Sequence, residues 1–213
     1  MSTVIKGSAS GQINLNDTTG SIQLNGSDVL TIDSSGNLTA PNNLTVTGSI
    51  TGDGSGLTGV SAGKILQVVS TTKTDAFTAS SASYTDITGL SVAITPSSTS
   101  SKIFVMFSLF GNTPNLGYFQ LVRGATNISV GDSSGSRVTC TTGGINHGGD
   151  SNRGYSYSAH YLDSPSTTSS TTYKVQVRGE FANTVYINRS QNDPDSATGY
   201  RGTSQITVFE VAA

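Results

Sequence analysis

Ser101–Asn112 reads SKIFVMFSLFGN, the most apolar run in the chain. Taken alternately, Ile103, Val105, Phe107 and Leu109 fall on one side, while Phe104, Met106 and Phe110 fall on the other. Period-two patterning with β-branched and aromatic residues is a strand signal. A strand that is apolar on both sides is expected to be covered on both sides. One cover is the core of its own domain. In a small antiparallel domain, the other is expected to be a second subunit.

Similar runs surround this one. KILQVVS opens the region at Lys64, and ASYTDITGLSVAITP reads as two short strands around a Thr-Gly turn. YFQLVRG, TNISVGD, RVTC, GYSYSAHYLD, TYKVQVRGE and TVYINRS follow, and SQITVFEVAA closes the chain. In TYKVQVRGE, Tyr173, Val175 and Val177 alternate as inward residues with Lys174, Gln176 and Arg178 outward. The last strand, with Ile206, Val208, Phe209 and Val211, is apolar enough to pair centrally. About ten strands separated by Gly-, Ser- and Asp-rich turns suit an antiparallel jelly-roll β-sandwich.

Composition agrees with an all-β fold. The 213 residues include 34 serines, 30 threonines and 25 glycines, while Glu occurs only at positions 180 and 210. Thr fits a pleated surface, whereas Ser and Gly favour turns. The formal charge is −2 with 11 % of residues charged. No cluster of Lys and Arg offers an electrostatic footprint for nucleic acid. Cys140 is the single cysteine, which excludes an intrachain disulfide and reads as a small buried side chain. No apolar run reaches the ~18 residues of a membrane span. The start, MSTVIKGSAS, lacks the apolar core of a secretory signal, so synthesis in a host cytoplasm is expected.

The first 62 residues differ from the rest. All 8 tyrosines and 7 phenylalanines lie at or beyond Phe77. Apolar residues come instead in spaced pairs: Ile13 and Leu15, Ile22 and Leu24, Leu30 and Ile32, Leu44 and Val46. DTTG, GSD, SSGN and APNN supply turns between them. Burying one such side chain contributes ~1.5–3 kcal/mol, against ~1–2 kcal/mol to order each residue's backbone. One copy cannot hold this shape; three copies wound about one axis can. The expected architecture is an intertwined trimeric β-prism or β-helix stalk over residues 11–62, after a short anchoring segment at 1–10. A jelly-roll head then spans 63–213. These spaced pairs, with Phe104, Met106 and Phe110, are the expected trimer-interface residues.

GSITGDGSGLTGV, Gly48–Val60, tests for a phosphate loop. A Walker loop needs Lys and then Ser or Thr before a helix, but Gly63-Lys64 is followed by Ile65 in a strand-like run. Gly54, Gly56 and Gly59 match the dinucleotide spacing, yet no helical period follows. The glycines read as tight turns where the stalk meets the head. NLTVTGSITGDGSGLTGV resembles a segment of bacteriophage tail-fibre and related virion fibre proteins, closely over residues 37–60 and loosely over 10–36. The resemblance implies a trimeric stalk whose Gly-Ser-Gly-Leu-Thr-Gly stretch leads into the next domain. The strand pattern of residues 64–213 is similar in architecture to the trimeric jelly-roll heads of the tumour-necrosis-factor and complement globular-head type. That likeness implies trimerisation and no particular ligand.

Chemistry is sparse. His147 lies three residues before Asp150 in a glycine-rich loop, and His160 lies within a strand. No H-x-x-x-H pair is present, and no metal or other cofactor is expected. Asp193 and Asp195 in QNDPDSATGY are two apart, but Ala197 stands where a calcium loop needs a third acid, so an exposed loop is the plainer reading. Binding groups sit on loops of rigid β heads. The candidates for contact with a host receptor are Tyr155 and Tyr157, which also fit half-buried sheet positions, and Arg189, Asp193, Asp195, Tyr200 and Arg201. The expectation is a non-enzymatic trimeric fibre on a phage particle. It docks on other virion proteins through its N-terminus and presents its head to a host glycan or protein. A capsid-bound head fibre or decoration protein, and a glycan-depolymerising tail spike, are the alternatives.

Overall fold

A computed structural model of the protein describes residues 20–24, 27–32, 35, 37–40, 64–145 and 151–212. The chain divides into two units, Met1–Thr58 and Gly59–Ala213. In the first, β1 (Gly20–Leu24), β2 (Ser27–Ile32) and β3 (Leu38–Thr39) form an antiparallel meander. Ile22 pairs with Leu30, and Ile32 pairs with both Gly20 and Leu38. These are the strands that the apolar pairs at 22/24 and 30/32 predict. The interface expectations at Ile13, Leu15, Leu44 and Val46 fall outside the described residues.

The second unit is a two-layered antiparallel β-sandwich, and no α-helix occurs among its described residues. Its strands are β4 (Ile65–Lys73), β5 (Phe77–Ser80), β6 (Thr85–Ile94), β7 (Lys102–Asn112), β8 (Gly117–Arg123), β9 (Thr126–Ile128), β10 (Thr142–Ile145), β11 (Tyr155–Asp163), β12 (Thr171–Gly179), β13 (Thr184–Ile187) and β14 (Ser204–Val211). One sheet runs β10-β8-β12-β6 with β9 on β8. The other runs β4-β14-β7-β13-β5 with β11 along the opposite edge of β7. From β6 to β8 the chain alternates between sheets, as it does from β11 through β12 to β13.

The core fills the gap between the layers. Ile103, Val105, Phe107 and Leu109 of β7, with Ile206 and Val208 of β14, face Phe119, Leu121, Tyr173, Val175 and Val177. The inward side of SKIFVMFSLFGN and of TYKVQVRGE is as their alternation predicts. Each such side chain contributes ~1.5–3 kcal/mol. β14 is central, hydrogen-bonded to β4 on one side and β7 on the other.

Two strand expectations need correction, and one further strand joins the sheet. Thr88-Gly89 does not reverse the chain: Gly89, at φ +81°, bulges within a single β6 as its pairing to β12 shifts. RVTC is not a strand; pairing to β8 begins at Thr142, because Tyr84 and the backbone around Phe119 hold Thr139 and Thr141 in a loop. The short run FTAS, unremarkable in sequence, forms β5 against β13.

Candidate functional site: a fastened loop and an uncovered sheet face

The loop between β13 and β14 is tied at its base by Asn188. This residue adopts φ 60°, a left-handed conformation that Asn tolerates through local hydrogen bonding. Its side-chain amide donates to the carbonyls of Lys73 and Asp75 at 2.9 and 3.0 Å, and its Oδ1 accepts from Ser204 at 2.7 Å. The Asn188 N–H donates to Phe110 O at 2.7 Å. Asp193 is then held between two cations. Arg201 donates from both terminal nitrogens to its two oxygens, through Nη2 to Oδ2 at 2.8 Å and through Nη1 to Oδ1. Arg189 Nε lies 3.6 Å from the same Oδ2. Arg189 is itself positioned by the carbonyls of Ser190 and Gln191 and by the Tyr186 ring, 5.2 Å away. With both oxygens engaged, Asp193 is an organiser of the loop and offers no free carboxylate beside Asp195.

Tyr200 closes the loop. Its hydroxyl donates to Arg153 O at 2.7 Å, and its ring packs edge-on against Phe110 at 5.1 Å. Burial pushes that hydroxyl up to about 12. A hollow of about 340 Å³ is lined by Asp193, Asp195, Tyr200 and Arg201. Those four expected contact residues are therefore together, with Asp195 and Arg201 exposed. Tyr157 is not available: it is buried, hydrogen-bonded to Thr113 at 2.9 Å and packed on Phe119 at 4.7 Å. Tyr155 is half-buried against the core. Their inward placement follows from β11's pairing with β7, which puts odd-numbered residues of β11 opposite Val105, Phe107 and Leu109.

Among the described residues of the second unit, nothing covers the outer face of the six-stranded sheet. Register places Val68, Phe209, Phe104 and Leu162 in one row across four strands, with Met106 and His160 in the next. Val68 is 54 % exposed, Leu162 53 % and Met106 44 %. Phe104 contacts Phe209 at 6.2 Å and the His160 ring at 5.9 Å. The face turns polar away from that row: Gln205 donates to the hydroxyls of Ser70 and Thr72. Phe110, expected here as an interface residue, is instead covered within its own chain by Tyr200, and a Cβ at Gly154 or Gly202 would overlap its ring.

His147 and Asp150 lie outside the described residues. Among the described residues, no group of three or more His, Cys, Asp or Glu gathers to hold a metal ion. Nor is any helix among them long and apolar enough to cross a membrane. No family model matches the chain, and no curated protein matches it. A solved structure of the infectious bursal disease virus Gx strain aligns with 98 % of this chain at 13 % identity and a TM-score of 0.33. The chain spans 56 % of that neighbour's length, and likeness of this grade carries no argument about fold or function.

Proposed function

We propose that the protein is a homotrimeric structural fibre or spike of a virus particle, of the bacteriophage tail-fibre kind, with a jelly-roll head that attaches to a host surface. The observation that carries this reading is the uncovered row Val68–Phe209–Phe104–Leu162, with Met106 beside it. Contiguous apolar surface rimmed by polar residues marks an interface. Two further copies of this chain, packed about a threefold axis, supply the cover. The spaced apolar pairs of residues 11–62 point to the same stoichiometry, because a single copy buries too little to hold itself. The alternation of strands between sheets is the course of a jelly roll.

The work of such an assembly is mechanical and adhesive. Residues 1–10 dock on other virion proteins, and the head is carried outward on the particle surface. The hollow bordered by Asp195, Tyr200 and Arg201 is a contact for a host glycan or protein. Three copies on one axis raise weak contacts by ~10²–10⁴ without new chemistry.

Light scattering on the purified full chain tests the assembly: a mass of three times 21.8 kDa is expected. A monomer overturns it. Antibody labelling of particles, with fibres decorated at the tail or shell, tests the location.

A further inference from the structure

Arg178 ends the row of outward side chains on β12. Its neighbours in that row are partnered: Lys174 Nζ and Gln176 Nε2 donate to Asp86 at 2.8 and 2.7 Å. Arg178 has no such acceptor. It lies opposite Tyr118 of β8 and beside Tyr84, which precedes β6. Its Cζ is 5.8 Å from the centre of the Tyr84 ring and 5.7 Å from that of Tyr118. The guanidinium thus lies near both rings, and its Nε is buried with no hydrogen-bond partner. Among the described residues no carboxylate pairs with it. Arg178 is half-buried, and a guanidinium with an unmet donor and no carboxylate partner favours an anion beside it.

This guanidinium forms one wall of a cavity of about 550 Å³, lined also by Tyr118, Ser136, Arg137, Glu180 and Phe181. Phe181 is 86 % exposed and sits at φ 48° in the 3₁₀ turn Glu180–Ala182. A bulky residue in left-handed backbone, with its ring in water, is unfavourable on both counts. The surroundings enforce it. Gly179 N–H donates to Ser81 O, Glu180 N–H to Leu116 O, and Asn183 N–H to Glu180 O, all within 2.8–2.9 Å. Neighbouring groups are fixed as well: the Tyr84 hydroxyl donates to Thr139 O at 2.7 Å, and Arg137 Nη1 donates to Ser134.

We propose that this cavity binds a carboxylate-bearing sugar of a host-surface glycan. Arg178 and Arg137 take the carboxylate, whose two oxygens match the planar guanidinium fork. Phe181 and Tyr118 take the apolar C–H face of the ring, and Ser136 offers a hydroxyl to the sugar's own. Two arginines with one acidic side chain, Glu180, suit a monoanion and disfavour a phosphate dianion. The site lies apart in sequence from the 188–201 loop. It rests on the attachment reading for its biological role, whereas binding itself is read on the purified protein.

Calorimetry on the full chain with a galacturonic acid trisaccharide, sialyllactose and neutral lactose tests it. The acidic sugars are expected to bind at least about tenfold more tightly than lactose, and Arg178→Gln to lose about that factor. The stronger of the two acidic probes identifies the sugar class. Phe181→Ala, an exposed truncation that leaves the core intact, is expected to weaken binding severalfold. Equal affinity for lactose, or unchanged affinity in Phe181→Ala and a folded Arg178→Gln, overturns the site. Displacement of the sugar by inorganic phosphate at equal concentration also overturns it, because the cavity would then select charge alone. Acid-sugar binding by a protein that does not adsorb to cells overturns the attachment reading and leaves the site standing.

Discussion

The buried carboxylate of Glu210 accepts the backbone N–H and the hydroxyl of Ser97 on one oxygen, at 2.7 and 2.6 Å. Its other oxygen accepts from Gln67 at 2.6 Å. One side chain thus joins β14, β4 and the turn after β6. Burial alone would raise the Glu210 carboxyl, but hydrogen bonds from Ser97, Gln67 and Ser101 outweigh it and hold the group at about 2.

The pH dependence follows from that direction. A folded-state value below the ordinary 4.5 means the stabilisation is fully present above about pH 4.5 and is lost as pH falls toward 2. Urea titrations across this window are expected to show a steep loss of stability. Glu210→Gln is expected to cost about 2–3 kcal/mol at pH 7 and to flatten the acid slope, since an amide cannot accept at both ends. Asp86, also lowered by its hydrogen bond from Lys174, is half-exposed and contributes a smaller share. An unaltered slope in Glu210→Gln would remove Glu210 as its source.

Asp163 joins the two layers of the sandwich. It ends β11 of the six-stranded sheet and accepts Arg123 Nη1 of β8 at 2.9 Å and the Tyr173 hydroxyl of β12 at 2.7 Å. Burial, and then the bond to Asp163, push the Tyr173 hydroxyl well up. Asp163→Ala strands a cation and a buried hydroxyl together, and a loss of about 3 kcal/mol is expected in urea unfolding. Tyr173→Phe, which removes only one donor, is expected to cost about 1 kcal/mol. Equal losses in the two variants would show that the carboxylate matters only through Tyr173.

What the sequence discloses depends on how local the cause is. The inward and outward sides of β7 and β12 follow from alternation, and the central place of β14 follows from its apolar content. Tyr157 fits a sheet position in GYSYSAHYLD, but its full burial is set by pairing to β7, an element distant in sequence. Phe110 belongs by alternation with Phe104 and Met106, yet Tyr200, from a loop distant in sequence, covers it. Arg178 looks like any outward residue of an alternating strand. Only the register that brings Tyr118 and Tyr84 to its two sides sets it apart from Lys174.

The uncovered sheet face gives a test that leaves the core untouched. Leu162 and Met106 point outward, so Leu162→Asp and Met106→Asp place charge in solvent if the chain is alone. In the proposed trimer they bury it without a partner, at a cost of several kcal/mol per subunit. Sedimentation is expected to show a shift from three times 21.8 kDa toward a single chain, with an unchanged β-rich circular dichroism spectrum. A variant that keeps the trimeric mass would move the interface elsewhere.

Gly202 controls whether the 188–201 loop keeps its shape. Its N–H donates to Asn188 O at 3.2 Å, and any Cβ there would overlap the Phe110 ring. That ring is also the seat of Tyr200, so displacing it loosens the aromatic contact that closes the loop. Gly202→Ala is expected to cost about 1–3 kcal/mol through overpacking. It should also reduce adsorption to host cells as strongly as Arg201→Ala, which frees Asp193 from the loop's bidentate clamp. Neither change touches the row around Phe104, so the solution mass should stay that of the unsubstituted protein. Lost adsorption with retained mass would mark the loop as a contact surface. Full adsorption by Arg201→Ala and by a folded Gly202→Ala would assign recognition to another part of the head.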